Sequence, residues 1–248
     1  MLIAEIGLNH LGDEHYAFYY IKELLKTKVD AITFQIREPS FYERPEKKHL
    51  RLEKDFYMKA ALLVKSSGKS FGVALSDLSM VDYFDQFVDF YKILSKDLGQ
   101  PEFVDGLINK TDKKIFQSTG MSSMEQISNF IDSVSNKITN VSLIHTQLSY
   151  AVEDVNLNAI WGLQETFDVP VSFGNHCENS KVLYLSLAFK PSAIFVYVKG
   201  EKDIKYPDDK HSVKLSETLE LFDGLKVLRG ALGKNSKEQM NNKIKDQT

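Results

Sequence analysis

One pattern constrains this chain more than any other. A short apolar run, a glycine or polar turn and an amphipathic helical stretch recur about eight times at a spacing of roughly thirty residues. Strands separated by helices pair in parallel, and such units close into a (β/α)8 TIM barrel, an α/β fold. The first unit sets the type: Leu2-Ile3-Ala4-Glu5-Ile6 is apolar but for one acid, Gly7 breaks it, and Asn9-His10 leads into a helix over 14–26 with Asp13 placed to cap it. Further strands are expected over 29–36, 70–75, 90–95, 114–117, 141–146, 169–173 and 193–198. Helices are expected over 52–65 with Gly68 ending it, around Val81 and Phe84, from Pro101, after Ser122 or Ser123, over 156–165 and over 216–228. The polar loop 37–48 is longer than most barrel connections, and long loops of this kind tend to carry function.

No Pro/Gly/Ser-rich linker divides the 248 residues, so a single barrel domain over 1–233 is expected. After Gly233 the composition turns polar, with Met240 and Ile244 the only apolar residues of 234–248, and this stretch reads as a tail. A formal charge of -3 argues against a nucleic-acid partner, which calls for a basic face. No apolar run is long enough to cross a bilayer, and MLIAEIG lacks the basic start and apolar core of a signal peptide. Cys177 is the only cysteine, which excludes an internal disulfide and a cysteine zinc cluster and fits a cytoplasmic location. The aromatic run Tyr16, Phe18, Tyr19 and Tyr20 reads as helix packing or as the face of a homodimer.

Under this strand assignment polar residues gather at the carboxyl ends of the strands, where barrels place their chemistry: Glu5 and Asn9, Gln35, Lys92 with Ser95 and Asp97, Ser118 with Thr119, His145, Asn175 with His176. Glu5 is either a satisfied interior carboxylate or an acid aimed into the mouth. Lys92, in the apolar run Phe90-Tyr91-Lys92-Ile93-Leu94, must meet an anion. That anion is either an internal partner, Glu5 or Asp97, or the phosphate or carboxylate of a ligand. The Ser118-Thr119-Gly120 turn offers hydroxyls and backbone N–H groups to the same ligand. His15 and His49 read as exposed, and His145 as a group that orients a neighbouring loop or titrates.

These residues also carry a resemblance. IAEIGLNH, the glutamine of ITFQ, YKILSKD, QSTGMSS, LIH followed by Tyr150 and EDVNL, and the Gly-Asn-His of FGNHC occur in order from Leu2 to about Gly233. The chain resembles the sialic acid synthase family, whose barrels condense phosphoenolpyruvate with an N-acetylated amino sugar to make nine-carbon sugar acids. The resemblance assigns Glu5, Lys92 and Asp97 to the reaction centre. It implies that Lys92 and Ser118, with Ser95 beside them, hold the phosphate or carboxylate of phosphoenolpyruvate. It turns Gln35, Asp97, Tyr150 and Asp208 toward the amino sugar. It makes His176 one of two histidines on a divalent metal, manganese or magnesium, that activates the sugar's aldehyde for attack by the enolpyruvate. Water then adds, and phosphate leaves with C–O cleavage.

The departures from the family pattern are specific. Thr33 stands for a lysine that meets phosphoenolpyruvate, Ala74 for a threonine, Leu148 for an asparagine and Gly174 for a serine. Tyr197 occupies the place of the second metal histidine, with Phe195 and Val196 in place of a charged pair. One imidazole is too few for a tight metal unless Asp208, His211 or Cys177 substitutes, so metal affinity is expected to be weak. The family's C-terminal antifreeze-protein-like domain has no counterpart in the sequence. A synthase with an altered site, a non-catalytic sugar- or partner-binding barrel, and a barrel lyase or aldolase using another small acid are all compatible with these residues.

Overall fold

The structure, a computed structural model, describes residues 1–234, 236 and 237. The tail expected over 234–248 lies, apart from residues 234, 236 and 237, outside the described residues. Eight parallel strands form the barrel: β1 (Leu2–Gly7), β2 (Ala31–Ile36), β3 (Ser70–Leu75), β4 (Phe90–Ile93), β5 (Lys114–Ser118), β6 (Val141–His145), β7 (Val171–Gly174) and β8 (Ile194–Lys199). They pair in chain order, and β1 pairs with β8 to close the cylinder, with Glu5 beside Tyr197. A ninth strand, β9 (Val213–Lys214), pairs with the end of β8. The helices are α1 (Glu14–Leu25), α2 (Pro39–Tyr42), α3 (Lys54–Ser66), α4 (Val81–Phe84), α5 (Pro101–Lys110), α6 (Met124–Ser133), α7 (Ala159–Phe167), α8 (Lys181–Ser186) and α9 (Leu215–Gly230).

Strand periodicity divides the side chains between two cores. Outward-facing Leu2, Ala4 and Ile6 of β1 join Ile32, Phe34, Val73 and Tyr91 against the helices. The opposite set, Ile3, Ala31, Phe90, Phe116, Ile144, Ala193 and Phe195, fills the barrel's lower interior. Phe116 meets Phe90 and Phe195 edge-on, at 5.3 and 5.2 Å between ring centroids. Gly72 of β3 makes room for this layer, since a Cβ there would come within 2.3 Å of the Phe90 ring. The amino-terminal end of the barrel is thus packed solid, and only the carboxyl end is left for chemistry.

Several expected boundaries move for physical reasons. Strand four stops at Ile93 rather than Ser95, because Ser95–Asp97 turns into a 3-10 helix. The helix expected from 156 starts at Ala159, since Asn156 adopts a left-handed backbone (φ +47°) that a helix cannot include. The loop 37–48 contains α2, opened by Pro39, whose Phe41 and Tyr42 are buried with Leu8 and Leu50 in a small satellite core. Helix α8, between β7 and β8, was not expected either. Both helices are too short for a helical period to stand out in sequence.

Candidate active site

Glu5 and Lys92 come from opposite parts of the chain to the middle of the barrel. Strand parity turns both inward, one step above the phenylalanine layer. Lys92 Nζ donates to Glu5 Oε1 at 2.5 Å, with the two side chains 5% and 3% exposed. The ammonium also lies 5.1 Å from the Phe195 ring centroid and 5.3 Å from that of Tyr197. Of the two internal partners open to Lys92 in sequence, the structure selects Glu5. Glu5 Oε2, also buried, has no hydrogen-bond partner among the described residues.

A cluster of rings roofs this pair. Tyr197, at the register position beside Glu5, packs edge-on against His211 (4.6 Å) and His176 (5.3 Å). His176 and His211 stack on each other at 4.4 Å. Tyr150, exposed at the mouth, stacks on His211 at 6.0 Å and lies under Lys210 Nζ. Burial, then His211 and Lys92, lowers the His176 pKa to about 3. Burial, then Lys92 and Lys199, lowers that of His211 to about 4, so both imidazoles are neutral near pH 7. Burial and the nearby Glu5 and Asp208 carboxylates push the Tyr197 phenol well above its ordinary range.

Asp208 and His211 arrive on the loop 200–212 between β8 and β9, and the first turn of the chain holds that loop. Asn9 donates through Nδ2 to Val198 O (2.9 Å) and to Ser212 Oγ (3.2 Å), and its Oδ1 accepts from Asp208 N (3.1 Å). Asp208 Oδ2 packs against Gly7, 2.9 Å from where a Cβ would be, and Gly7 is left-handed at φ +57°. Burial and Glu5 raise the Asp208 carboxyl to about 7 against the opposing pull of Lys92 and Arg37. His211 Nε2 is 4.0 Å from Asp208 Oδ1. The sequence carried a signal for this loop in Asp208-Asp209-Lys210-His211-Ser212, but it gave His211 only as a substitute metal ligand and left Asn9 without a role.

The remaining candidates divide. Ser95 Oγ and Ser118 Oγ share a hydrogen bond of 2.8 Å across β4 and β5, and a Cβ on Gly120 would come within 2.8 Å of Ser95 Oγ. Gln35 is half-buried at the end of β2, beside Ala74. Asp97 is buried with its oxygens already engaged: Oδ2 accepts from Ser76 Oγ at 2.7 Å, and Oδ1 from Lys96 Nζ at 2.5 Å and Gln100 Nε2 at 3.3 Å. His145 Nε2 bonds Val155 O at 2.9 Å and orients the loop ahead of α7. His15 and His49 are exposed, as the sequence suggested.

The model of the NeuB family matches residues 17–237. The chain belongs to the NeuB family. An uncharacterized protein of Methanocaldococcus jannaschii is 30% identical over 251 residues, covering 96% of this chain and 74% of its own length. The N-acetylneuraminate-9-phosphate synthase of Homo sapiens is 25% identical over 260 residues, covering 96% of this chain and 72% of its own. The fold matches a crystal structure of N-acetylneuraminic acid synthetase from Leptospira borgpetersenii in complex with citrate, at a TM-score of 0.88 and 23% identity, over 96% of this chain and 87% of that one.

The resemblance implies a two-histidine metal site, and this NeuB barrel does not offer one. Two imidazole nitrogens bind one ion at about 2.0–2.1 Å each, which requires their in-plane lone pairs to converge. His176 and His211 instead lie face to face, 4.4 Å apart and tilted by 26°, so their lone pairs lie in nearly parallel planes rather than in planes that meet at one ion. Tyr197 brings a protonated phenol in place of an imidazole. Among the described residues no three His, Cys, Asp or Glu side chains are grouped to hold a metal ion. The residues present do not fit the metal.

Proposed function

We propose that this NeuB barrel is a synthase of nonulosonic acid biosynthesis, joining phosphoenolpyruvate to an N-acetylated amino sugar. The observation that carries the reading is the Glu5–Lys92 pair beside the Ser95–Ser118 hydroxyl pair, at the carboxyl ends of β1, β4 and β5. An ammonium has three donors, and Lys92 spends one on Glu5. The others, with the two serine hydroxyls, suit a small anion entering from the mouth. In this reading Lys92, Ser95 and Ser118 hold the carboxylate or phosphate of phosphoenolpyruvate. Gln35, Tyr150 and Asp208 face the sugar. Glu5, with one oxygen unpartnered, takes the proton of the water that adds to the donor. Asp97 keeps the Ser95–Asp97 turn in place through Ser76 and Gln100 rather than meeting the sugar. Among the described residues no helix is long and apolar enough to cross a membrane.

Release of inorganic phosphate from phosphoenolpyruvate, measured with a panel of N-acetylated hexosamines with and without manganese, tests this reading. Phosphate release dependent on one of these sugars is expected. A second reading follows from the way Phe195, Tyr197 and Glu5 already enclose Lys92. On it, the barrel binds a sugar without condensing it. Sugar binding with no phosphate release would select that second reading.

A further inference from the structure

The roof of the barrel holds polar atoms that the fold leaves unsatisfied. His211 is 8% exposed, and neither Nδ1 nor Nε2 meets a hydrogen-bond partner among the described residues. Below it Glu5 Oε2 is in the same condition. Tyr197, 6% exposed and edge-on to His211, carries a hydroxyl that no hydrogen bond among the described residues engages. Buried polar atoms are almost always paired, so a group of unpaired ones in one place points to a partner that the chain itself does not supply.

These groups are also held still. The His211 ring is fixed between His176 on one face and Tyr150 at the mouth, with Tyr197 against its edge. Its loop is pinned by Asn9 and by the Ser212 hydroxyl, which donates to Asp208 O at 2.5 Å. Donors fixed in advance, in a site closed to water, stabilise an oxygen that gains negative charge, and they need no rearrangement to do so. A neutral imidazole can serve as such an electrophile through its N–H.

We propose that the His211 imidazole N–H and the Tyr197 hydroxyl form a cradle for the carbonyl oxygen of the sugar aldehyde, polarising it by hydrogen bonds without a divalent cation. The inference rests on the proposed condensation and deepens it. The cradle adds hydrogen bonds only; the carbon–carbon bond made and the phosphate lost are those of the condensation. It also gives a chemical reason for a tyrosine at 197 beside a histidine at 211. The phenol supplies a hydrogen-bond donor on a ring packed 4.6 Å from the imidazole, without adding a metal ligand.

The test uses the full chain after dialysis against EDTA, with Tyr197→Phe, which removes only the hydroxyl, and His211→Asn. Melting temperatures first establish that both variants fold. Calorimetric titration with Mn²⁺ alone is expected to give no binding tighter than millimolar. Micromolar Mn²⁺ binding that is lost in His211→Asn would overturn the proposal in favour of a metal site. Phosphate release is expected to be insensitive to the chelator. Each variant should lower kcat at least tenfold while changing KM for the sugar little, because the cradle's bonds tighten as charge develops. Unchanged kcat in both variants refutes it. If no sugar supports phosphate release, the condensation fails but the cradle remains testable. The wild type should then bind an N-acetylated hexosamine at least threefold more tightly than either variant. Equal affinities, or no binding, would overturn the cradle as well.

Discussion

At the scale of single residues, Lys92 and Glu5 carry the most. Lys92→Met leaves the Glu5 carboxylate buried and unpaired, and breaking a buried pair from one side costs roughly 3–5 kcal/mol. Denaturant unfolding of Lys92→Met should show a loss of that order, and the double variant Lys92→Met/Glu5→Gln should recover much of it. A loss below about 1 kcal/mol, the median worth of an exposed pair, would show that water reaches the pair. The pH dependence follows from the imidazoles and Asp208. Burial lowers His10 to about 3, His176 to about 3 and His211 to about 4. The unfolded chain takes up protons on these groups near 6.5 that the folded protein refuses, so their contribution falls as pH drops from about 6.5 toward 4. Asp208, raised to about 7, acts in the opposite sense: its contribution is complete at low pH and is lost as pH rises through about 7. Three groups against one predict a net loss of stability between pH 6.5 and 4, with a shallower slope in His211→Asn. Unfolding curves at pH 7 and pH 5 would check both signs. The sequence showed that Lys92 needed an anion but not which one, because Glu5 and Asp97 differ only in where the closed barrel places them.

At the scale of elements, the sequence marked the regular pieces and missed those made by distant contact. Gly68 and Gly12 show why. Both are left-handed, at φ +74° and +75°, and Gly68 was legible as a helix end. A Cβ on Gly68 meets nothing within 4 Å, whereas one on Gly12 would sit 1.7 Å from the His49 carbonyl oxygen, a neighbour supplied by a different loop. Gly68→Ala should therefore cost about 1–2 kcal/mol, the left-handed penalty alone. Gly12→Ala should cost clearly more, because backbone must move as well. Equal shifts in the melting midpoint would mean that the Gly12 turn yields freely. Helices α2 and α8 were hidden for the same reason. Four and six residues are too few for a helical period, and Phe41 and Tyr42 are buried only because Leu8 and Leu50 meet them. Gly174 lies under Ile144 and Thr146, so a Cβ there would approach to 3.0 Å, which sequence comparison of one position cannot show.

At the scale of the whole molecule, the repeated strand–helix unit was enough to give a barrel, but not the way its two ends lock together over the site. Closure pairs β1 with β8, and Asn9, just past the end of β1, reaches across the seam. One side chain there makes three hydrogen bonds, to the carbonyl of Val198 at the end of β8, to Ser212, and from the backbone of Asp208. Tyr20 of α1 donates to the Asn9 carbonyl and so fixes the turn from the other side. The loop that presents Asp208 and His211 is therefore held in part by a residue from the opposite end of the sequence, alongside the Tyr16–Tyr206 hydroxyl pair and the bonds from Lys199 to Asp209. Asn9→Ala removes all three side-chain bonds and leaves the Asp208 amide and the Val198 carbonyl to find water. A global cost of about 1–3 kcal/mol follows from the unpaired groups. The more telling effect should be local: amide exchange over residues 201–212 should accelerate much more than in β3, β4 or α3, because loops open by local unfolding when few contacts hold them. If exchange instead accelerates evenly around the barrel, Asn9 is a closure residue for the whole cylinder, and the Tyr16–Tyr206 and Lys199–Asp209 contacts suffice to hold the loop. If it accelerates only in 201–212, the site's roof is a separate cooperative unit that the first strand keeps shut.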